Sequence, residues 1–196
     1  MLEQPKVNVY QLGENDMNET MVNQQATLKE LSWLGGIVDG EGCVGIRHNT
    51  MQHQFSPRFN VTNTNMKIIN ETVSIIRKIG VNPYIREKKP SGYGLNTKIP
   101  CYQVCVDTLS GARLVLEALE PFIIGKGNQV KYLLEFCISR KRFKKTQTNE
   151  QKMYNKRELE CIKAVYTANN SFRGSSQTKS KATEQFLNSV DDIVGL

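Results

Sequence analysis

The order of patterns along the chain predicts an α+β fold: a helix, two strands, a helix, two strands and then further helices. Three observations carry this prediction. They are a helix-start signature at Thr27–Glu30, two stretches with alternating polarity (43–48 and 55–64), and a helical stripe that stops at Gly80. The 196 residues suffice for one domain with a substantial core. We divide the chain into a flexible leader (1–25), a core domain (26–145) and a C-terminal helical extension (146–196).

The first helix is predicted to begin at a capping box, in which the Thr27 hydroxyl and the Glu30 carboxylate each accept a backbone N–H. Its apolar residues recur at helical spacing, and the helix is expected to end near Asp39. The other predicted strands and helices follow from the same two periodicities and from glycine and proline stops. The strands are 43–48, 55–64, 84–88 and 102–106, and the later helices are 66–79, 110–119, 128–143, 150–168 and 183–194.

Charge is unevenly spread along the chain. The formal net charge is +7, but residues 1–30 hold two basic and five acidic side chains. The remaining 166 residues therefore carry 24 basic and 14 acidic side chains, a net charge of +10. A basic body behind an acidic leader indicates a polyanionic partner, most simply nucleic acid, although ordinary solubility charge is the alternative.

Cysteine usage and hydropathy bear on the cellular setting. Five scattered cysteines form no Cys-x-x-Cys pair, and an odd number fits free thiols in a reducing compartment. Cys101 and Cys105 would share one side of a strand and are expected in the core. No run approaches the roughly 18 apolar residues of a membrane span, and the acidic start lacks an apolar signal region. We therefore expect an intracellular protein, in a bacterial or phage cytoplasm or an organelle interior.

Residues Leu34–Gly42 form the most informative motif, with the sequence Leu-Gly-Gly-Ile-Val-Asp-Gly-Glu-Gly. A glycine inside a helix costs about 1 kcal/mol relative to alanine, so adjacent glycines usually mark the close approach of another backbone. The motif resembles the signature of the LAGLIDADG homing endonucleases, with Gly35 in place of the family's first alanine. The order of elements is also similar, so the resemblance extends from residue 27 to about 145. It implies an αββαββα core with a curved antiparallel sheet.

The resemblance implies a metal site at the end of this motif. Glu41 stands at the family's last motif acid and would be the metal ligand, with the Gly40 carbonyl oxygen as a second ligand. Phosphodiester hydrolysis benefits from a divalent cation, and Mg²⁺ (or Mn²⁺) needs only one or two carboxylates because it keeps several waters. Without the resemblance, Glu41 fits a solvated acid in a turn. Asp39 fits a capping or supporting role better than direct ligation.

Further catalytic candidates follow from the same resemblance. Pro121–Gln129 is similar to the family's loop before its long basic helix, which implies that Lys126 stabilises developing charge or orients a water. An exposed loop lysine is the alternative. Asn63 and Lys67 stand where the family has polar pocket residues, although Asn-rich turns are also common helix starts. Gln129 is a weaker candidate of the same kind.

Alternation along the strands predicts a polar, basic sheet face. Arginine pairs with guanine, and asparagine with adenine, in the major groove of DNA. A basic run at the end of the predicted helix 128–143 would hold phosphates, and both sets also fit a solvated surface. The outward-facing candidates are Arg47, Asn49, Arg58, Asn60, Arg86 and Lys88. The candidates in the basic run are Arg140, Lys141, Arg142 and Lys144.

The sequence thus predicts a site-specific double-strand DNA endonuclease. One carboxylate cannot hold two or three metals, and the chain has one copy of the motif, so we expect a homodimer on a long pseudo-palindromic DNA site. Gly35 and Gly36 would let two motif helices approach, unless both pack within one chain. The resemblance also implies an intron-encoded gene, with an intein or a free-standing gene as the alternatives. The rivals are an intron maturase and a non-catalytic DNA-binding regulator; an HNH nuclease lacks the required further histidine.

Overall fold

The computed structural model describes residues 25–49, 54–88, 100–140 and 154–171, together with Gln185 and Asn188. These residues leave out nearly all of the predicted leader, the segment 89–99 between the third and fourth predicted strands, and most of the predicted helix at 183–194. The elements, in chain order, are α1 (Leu28–Glu41), β1 (Gly42–Asn49), β2 (Gln54–Asn63), α2 (Met66–Lys78), β3 (Tyr84–Lys88), β4 (Cys101–Val106), α3 (Leu109–Leu119), a 3₁₀ turn (Glu120–Phe122), α4 (Gly127–Ser139) and α5 (Lys156–Ser171).

The four described strands form one antiparallel sheet in the order β1-β2-β4-β3. The predicted α+β class is confirmed. The register aligns Phe59 with Val44 on one side and with Val106 on the other. Because side chains alternate across a strand, this row of apolar residues faces one side of the sheet, and the rows beside it face the other.

The core lies between the apolar sheet face and helices α1 to α4. Phe59 and Val104 from the sheet, and Leu34, Ile76 and Phe136 from the helices, are completely buried. Burying each such side chain contributes about 1.5–3 kcal/mol. Since the helices cover one face, the polar face of the sheet is left for other contacts.

The start of α1 carries the predicted capping box. The Glu30 N–H donates to the Thr27 hydroxyl, and the Thr27 N–H donates to the Glu30 carboxylate at 2.7 Å. The second Glu30 oxygen accepts from Lys78 Nζ on α2 at 2.5 Å. The bond from Lys78, helped by the bonds from Thr27, lowers the pKa of Glu30 from 4.5 to about 2.

We expect Glu30→Gln to lower the thermal stability at neutral pH. A carboxylate whose pKa is depressed in the folded state stabilises that state above its unfolded pKa, and the stabilisation disappears as it is protonated. The gap in Tm between wild type and variant should therefore narrow as the pH falls from about 4.5 towards 2. Thermal melts followed by circular dichroism check this. A gap that stays constant through that range would contradict the assignment.

The predicted end of the fourth helix, at Phe143, is wrong. α4 ends at Ser139, and Arg140 has an extended backbone conformation with ψ near 109°. The Arg140 side chain is turned inward. Its Nη1 lies 3.2 Å from Glu158 Oε2, and its guanidinium lies 3.9 Å from the centre of the Tyr154 ring. This buried contact with the next segment ends the helix early.

α5 begins at Lys156, later than the predicted start at 150. The Asn155 side chain accepts the Glu158 N–H at 2.8 Å, and the Glu158 carboxylate accepts the Asn155 N–H at 2.9 Å. This is a second capping box, with Asn155 as the cap. Asn155 and Glu158 have the spacing of a capping box in the sequence, but the polar residues before them led to a predicted helix start that is too early.

Candidate functional site

The motif helix ends in an exposed acid. Glu41 is the last residue of α1, and in the described part of the chain it makes no hydrogen bond or ion pair. Strand β1 starts immediately afterwards at Gly42. A Cβ atom there would lie 2.5 Å from the carbonyl oxygen of Val38, so only glycine allows this direct turn from helix to strand. The turn fixes the direction in which Glu41 leaves the helix.

Unlike Glu41, Asp39 has a carboxylate group that accepts hydrogen bonds from the backbone of its own chain. One of its carboxylate oxygens accepts the N–H groups of Ile124 at 2.7 Å and Gly125 at 3.0 Å. The other oxygen accepts the N–H of Lys126 at 2.9 Å. Partial burial alone would raise the pKa of Asp39, but the three backbone hydrogen bonds outweigh it, so the pKa is lowered. Asp39 therefore binds a loop of its own chain as a carboxylate.

Lys126 lies against the end of the motif helix. Its ammonium group donates to the carbonyl oxygen of Val38 at 2.9 Å and to that of Asp39. These carbonyls belong to the last turn of α1, where a cation is favoured by the helix dipole. The structure thus brings Lys126 to the helix end that carries Glu41, with its ammonium group engaged by the backbone.

Asn63 and Lys67 lie at the same end of the sheet. Gly42 pairs with Val61, so the last residue of β2, Asn63, lies just beyond the start of β1. The Asn63 side chain accepts the N–H of Asn65, and Asn65 in turn caps α2 by accepting the N–H of Lys67. Lys67 is exposed. Both candidates therefore belong to a polar turn on the Glu41 side of the sheet.

Gln129 does not fit the predicted role. It is 2% exposed, and its amide donates to the carbonyl oxygen of Ala168 on α5 at 3.3 Å. The first turn of α4 points this side chain into the contact between α4 and α5. Gln129 therefore joins two helices and is withdrawn as a catalytic candidate.

The donor set at the end of α1 is small. Within the described residues, no group of three or more histidine, cysteine or acidic side chains could hold a metal ion. Asp39 uses both oxygens on the loop, so this helix end offers the Glu41 carboxylate and backbone carbonyls such as that of Gly40. Oxygen donors suit Mg²⁺, which keeps several waters when one or two carboxylates bind it. The described residues therefore fit a cation held by one carboxylate, backbone carbonyl oxygens and waters.

The two motif glycines have different surroundings. A Cβ atom on Gly35 would lie 2.6 Å from the carbonyl oxygen of Phe122, in the 3₁₀ turn of the same chain. Among the described residues, a Cβ atom on Gly36 would meet nothing within 4 Å, and Gly36 is exposed. Gly35 therefore packs within the chain, while Gly36 lies on the outer surface of α1.

Four of the predicted DNA-contacting residues line one pocket on the polar sheet face. Arg47 and Arg58 are exposed there, and among the described residues they have no hydrogen-bond or ion-pair partner. Asn60 is only 3% exposed, because its side chain accepts from Gln103 Nε2 at 2.8 Å beneath the arginines. The expectation that Asn60 points out to a partner is wrong. The pocket is lined by Arg47, Arg58, Asn60, Arg86, Gln103, Cys105 and Asp107.

Arg86 is held in place by neighbours that the sequence did not single out. The Tyr84 hydroxyl donates to Asp107 Oδ2 at 2.5 Å and accepts from Arg86 Nη2 at 3.1 Å. The bond to Asp107 and partial burial raise the pKa of Tyr84 to about 12. Alternation along β4 could have found Gln103 and Asp107, since they share a face with Cys105. Cys105 is buried on this polar face and not in the main apolar core, contrary to expectation.

The other predicted DNA contacts have mixed outcomes. Lys88 is exposed at the end of β3. Arg140 is 7% exposed and paired with Glu158, so its predicted role in holding phosphates is wrong. The backbone of Asn49 pairs with Gln54, but its side chain lies outside the described residues. Lys141, Arg142 and Lys144 also lie outside them.

Two general expectations also meet the structure. All five cysteines are free thiols, as their odd number and spacing predicted. Within the described ranges, no helix is long and apolar enough to cross a membrane.

Comparisons with known proteins agree with the motif. Residues 29–119 match the family model described as a LAGLIDADG-like domain. Among curated proteins, no sequence matches the chain significantly. The match ends at the last residue of α3, so it contains Glu41 but not Lys126.

Solved structures show the same fold at low sequence identity. The homing endonuclease I-CvuI, in complex with its target in the presence of Ca, is 17% identical with a TM-score of 0.53, covering 85% of this chain and 95% of that chain. The archaeal intron-encoded homing endonuclease I-Vdi141I, complexed with DNA, is 14% identical with a TM-score of 0.52, covering 86% and 98%. The I-SmaMI LAGLIDADG homing endonuclease, bound to cleaved DNA, has a TM-score of 0.50 at 14% identity, covering 84% and 49%. Residues 29–119 therefore form a LAGLIDADG-like domain, and the chain shares the fold of solved LAGLIDADG homing endonucleases.

Proposed function

We propose that the protein is a site-specific DNA endonuclease that hydrolyses both strands of a long pseudo-palindromic site as a homodimer, with Mg²⁺ or Mn²⁺. One observation carries the proposal. Glu41 is an exposed carboxylate without a partner in the described chain, at the end of a motif helix where Lys126 supplies an ammonium group. A solvated surface acid has no need of a lysine anchored at the same helix end.

The chemistry divides between these two residues. Glu41, with the Gly40 carbonyl oxygen, would hold the divalent cation. The cation would supply a polarised phosphate and a water of lowered pKa. Lys126 would stabilise the negative charge that develops on the phosphate oxygens, as fixed donors do in other acyl- and phosphoryl-transfer sites. Asn63 and Lys67 remain candidates for ordering water at the same end of the sheet.

The polar sheet face supports duplex DNA as the substrate. Arg47 and Arg58 are exposed and unpaired within the described chain, which suits contacts to phosphates. Arg86 is held by Tyr84, which suits a fixed bidentate contact with guanine. Lys88 would extend this basic surface. Asn60, beneath the arginines, would support the face and not read bases itself.

The homodimer follows from counting carboxylates. One chain offers one unengaged carboxylate at the end of its motif helix, and Gly36 leaves the outer surface of that helix open. A second chain would supply the second Glu41 to a shared metal centre. The similar I-SmaMI chain is about twice as long as its matched region, since this chain covers 49% of it.

A selection experiment tests the proposed function. The full-length protein would be incubated with a library of randomised duplexes in Ca²⁺, and the bound sequences would then be exposed to Mg²⁺ or Mn²⁺. We expect an enriched pseudo-palindrome that is cut on both strands only with the catalytic metals. Enrichment without cleavage would favour the DNA-binding regulator. Preferential binding of structured RNA over the duplexes would favour the maturase.

We also expect the affinity for DNA to fall steeply with salt, because several cations displace counterions from the phosphates. The slope of log K against log salt should be steeper than about −3. Arg58→Ala removes one cation from each protomer, so it should make the slope shallower by about 2 and weaken cognate and random duplexes alike. Arg113→Ala is the matched control, since Arg113 pairs with Glu117 on helix α3. An Arg58 variant with unchanged slope would remove this residue from the phosphate contacts.

A further inference from the structure

We propose that Asp39 is a positioning residue of the active site: it fixes the Ile124–Lys126 turn so that the Lys126 ammonium stays at the end of the motif helix. The inference deepens the proposed function and rests on it. Asp39 itself would touch neither the metal nor the phosphate, because both of its oxygens are engaged by backbone N–H groups. It would act only through Lys126.

The turn depends on this one carboxylate. Three consecutive N–H groups, of Ile124, Gly125 and Lys126, converge on Asp39 at 2.7 to 3.0 Å. They precede α4, so its intrahelical hydrogen bonds do not use them. No other residue in the described chain offers a side-chain acceptor to these groups. The Gly125 backbone also lies close to the Asp39 carboxylate: a Cβ atom on Gly125 would be in van der Waals contact with Asp39 Oδ1 at 3.4 Å.

Lys126 closes the contact in the opposite direction. Its backbone N–H donates to the Asp39 side chain, and its ammonium donates to the backbone carbonyls of Val38 and Asp39. A lysine side chain is long and has many rotamers. Fixing both its backbone and its ammonium on the same helix end confines the charge to one place. The motif helix and the Ile124–Lys126 turn are about 85 residues apart in the sequence, so tertiary structure alone brings them together.

The position of this charge is what catalysis would need. A group that stabilises developing charge acts only if it is already in place, and a displacement of about 1 Å can cost 10²-fold in rate. Removing the Asp39 oxygens would release the turn without altering Glu41 or the arginine-lined sheet face. The expected defect is therefore in the chemical step and not in DNA binding.

A double-mutant cycle tests this coupling on single-turnover cleavage of the selected duplex. We expect Asp39→Ala to slow cleavage by about 10- to 100-fold, with DNA affinity within a factor of about three. Lys126→Ala should be at least as slow, on the order of 10²-fold. The double variant should be no slower than Lys126→Ala alone, because both changes remove the same effect. Full additivity would overturn the inference. If Asp39→Ala does not fold, Asp39→Asn keeps one acceptor oxygen and should give a smaller defect of the same kind.

A second measurement follows Lys126 without using cleavage. Reductive methylation with mass-spectrometric readout would compare Lys126 with the exposed Lys29 in the same sample. We expect Lys126 to react more slowly than Lys29 in the wild type and to lose that protection in Asp39→Ala. Glu120→Ala, at an exposed acid in the adjacent 3₁₀ turn, is the matched control. A wild type that binds but cuts no DNA overturns the proposed function. A wild type that cuts DNA, with Lys126 protection unchanged in Asp39→Ala, overturns only this inference.

Discussion

Glu41→Gln is expected to reduce cleavage on the order of 10³-fold while leaving specific DNA binding within a few-fold of wild type. Glutamine keeps the size of the side chain and a carbonyl oxygen, but it lacks the negative charge that holds a divalent cation. Because Glu41 has no partner in the described chain, the change breaks no ion pair and should leave the fold intact.

The measurement is single-turnover cleavage of the selected duplex across a range of Mg²⁺ and Mn²⁺ concentrations. Glu120→Gln is a matched control, because Glu120 is also an exposed acid but lies in the 3₁₀ turn and not in the motif. Its cleavage rate should equal that of the wild type. If Glu41→Gln still cuts at close to the wild-type rate in Mg²⁺, Glu41 is not the metal ligand, and the acid must come from another part of the chain.

The second large effect is expected at the outer face of the motif helix. Gly36→Leu should leave the monomer folded, since Gly36 is exposed and a Cβ atom there meets nothing within 4 Å in the described part of the chain. On a partner's helix the same side chain would force the two backbones apart. Two Glu41 carboxylates would then leave their shared centre, and cleavage should fall by about 10²-fold or more.

Gly35 provides the contrast. Gly35→Ala should destabilise the folded monomer, because its Cβ would meet the Phe122 backbone at 2.6 Å. Sedimentation and thermal melts of both variants separate the two effects. Gly36→Leu should lose the dimer and keep its Tm, whereas Gly35→Ala should lower the Tm. A wild type that stays monomeric at micromolar concentration with DNA bound would refute the homodimer.

The local patterns in the sequence predicted the fold well. The Thr27 capping box and the Gly80 stop need only neighbouring residues to act, and Gly80 has the positive φ of 93° that favours glycine. The third strand, Tyr84–Lys88, has the predicted bounds. Contacts between distant segments were harder to predict. Arg140 appeared to belong to an exposed basic run because its partners, Tyr154 and Glu158, lie beyond a stretch with no clear pattern.

In the candidate site, too, local patterns were predicted from the sequence and contacts between distant segments were not. The motif itself indicated Glu41, and the helix end is where that acid lies. The engagement of Asp39 with a turn 85 residues away carries no periodic signal, so sequence reasoning offered only a general capping role. Gln129 lies two residues into a helix that follows a similar loop, but the covering helix α5 decides that its side chain is buried. Alternation placed Asn60 on the correct face without revealing that Gln103 covers it.

Helix α5 has a consequence for where this domain can be cut or joined. The family match stops at residue 119, yet α5 seals the edge of the sheet: Asn169 donates to the carbonyl oxygen of Val44 on β1, and the Phe55 N–H donates to Tyr154 just before α5. A shortened chain would leave strand β1 open to pairing with other molecules and the Arg140 charge without its partner. Two copies fused into one polypeptide would therefore keep α5 in each half, with the linker attached after Ser171.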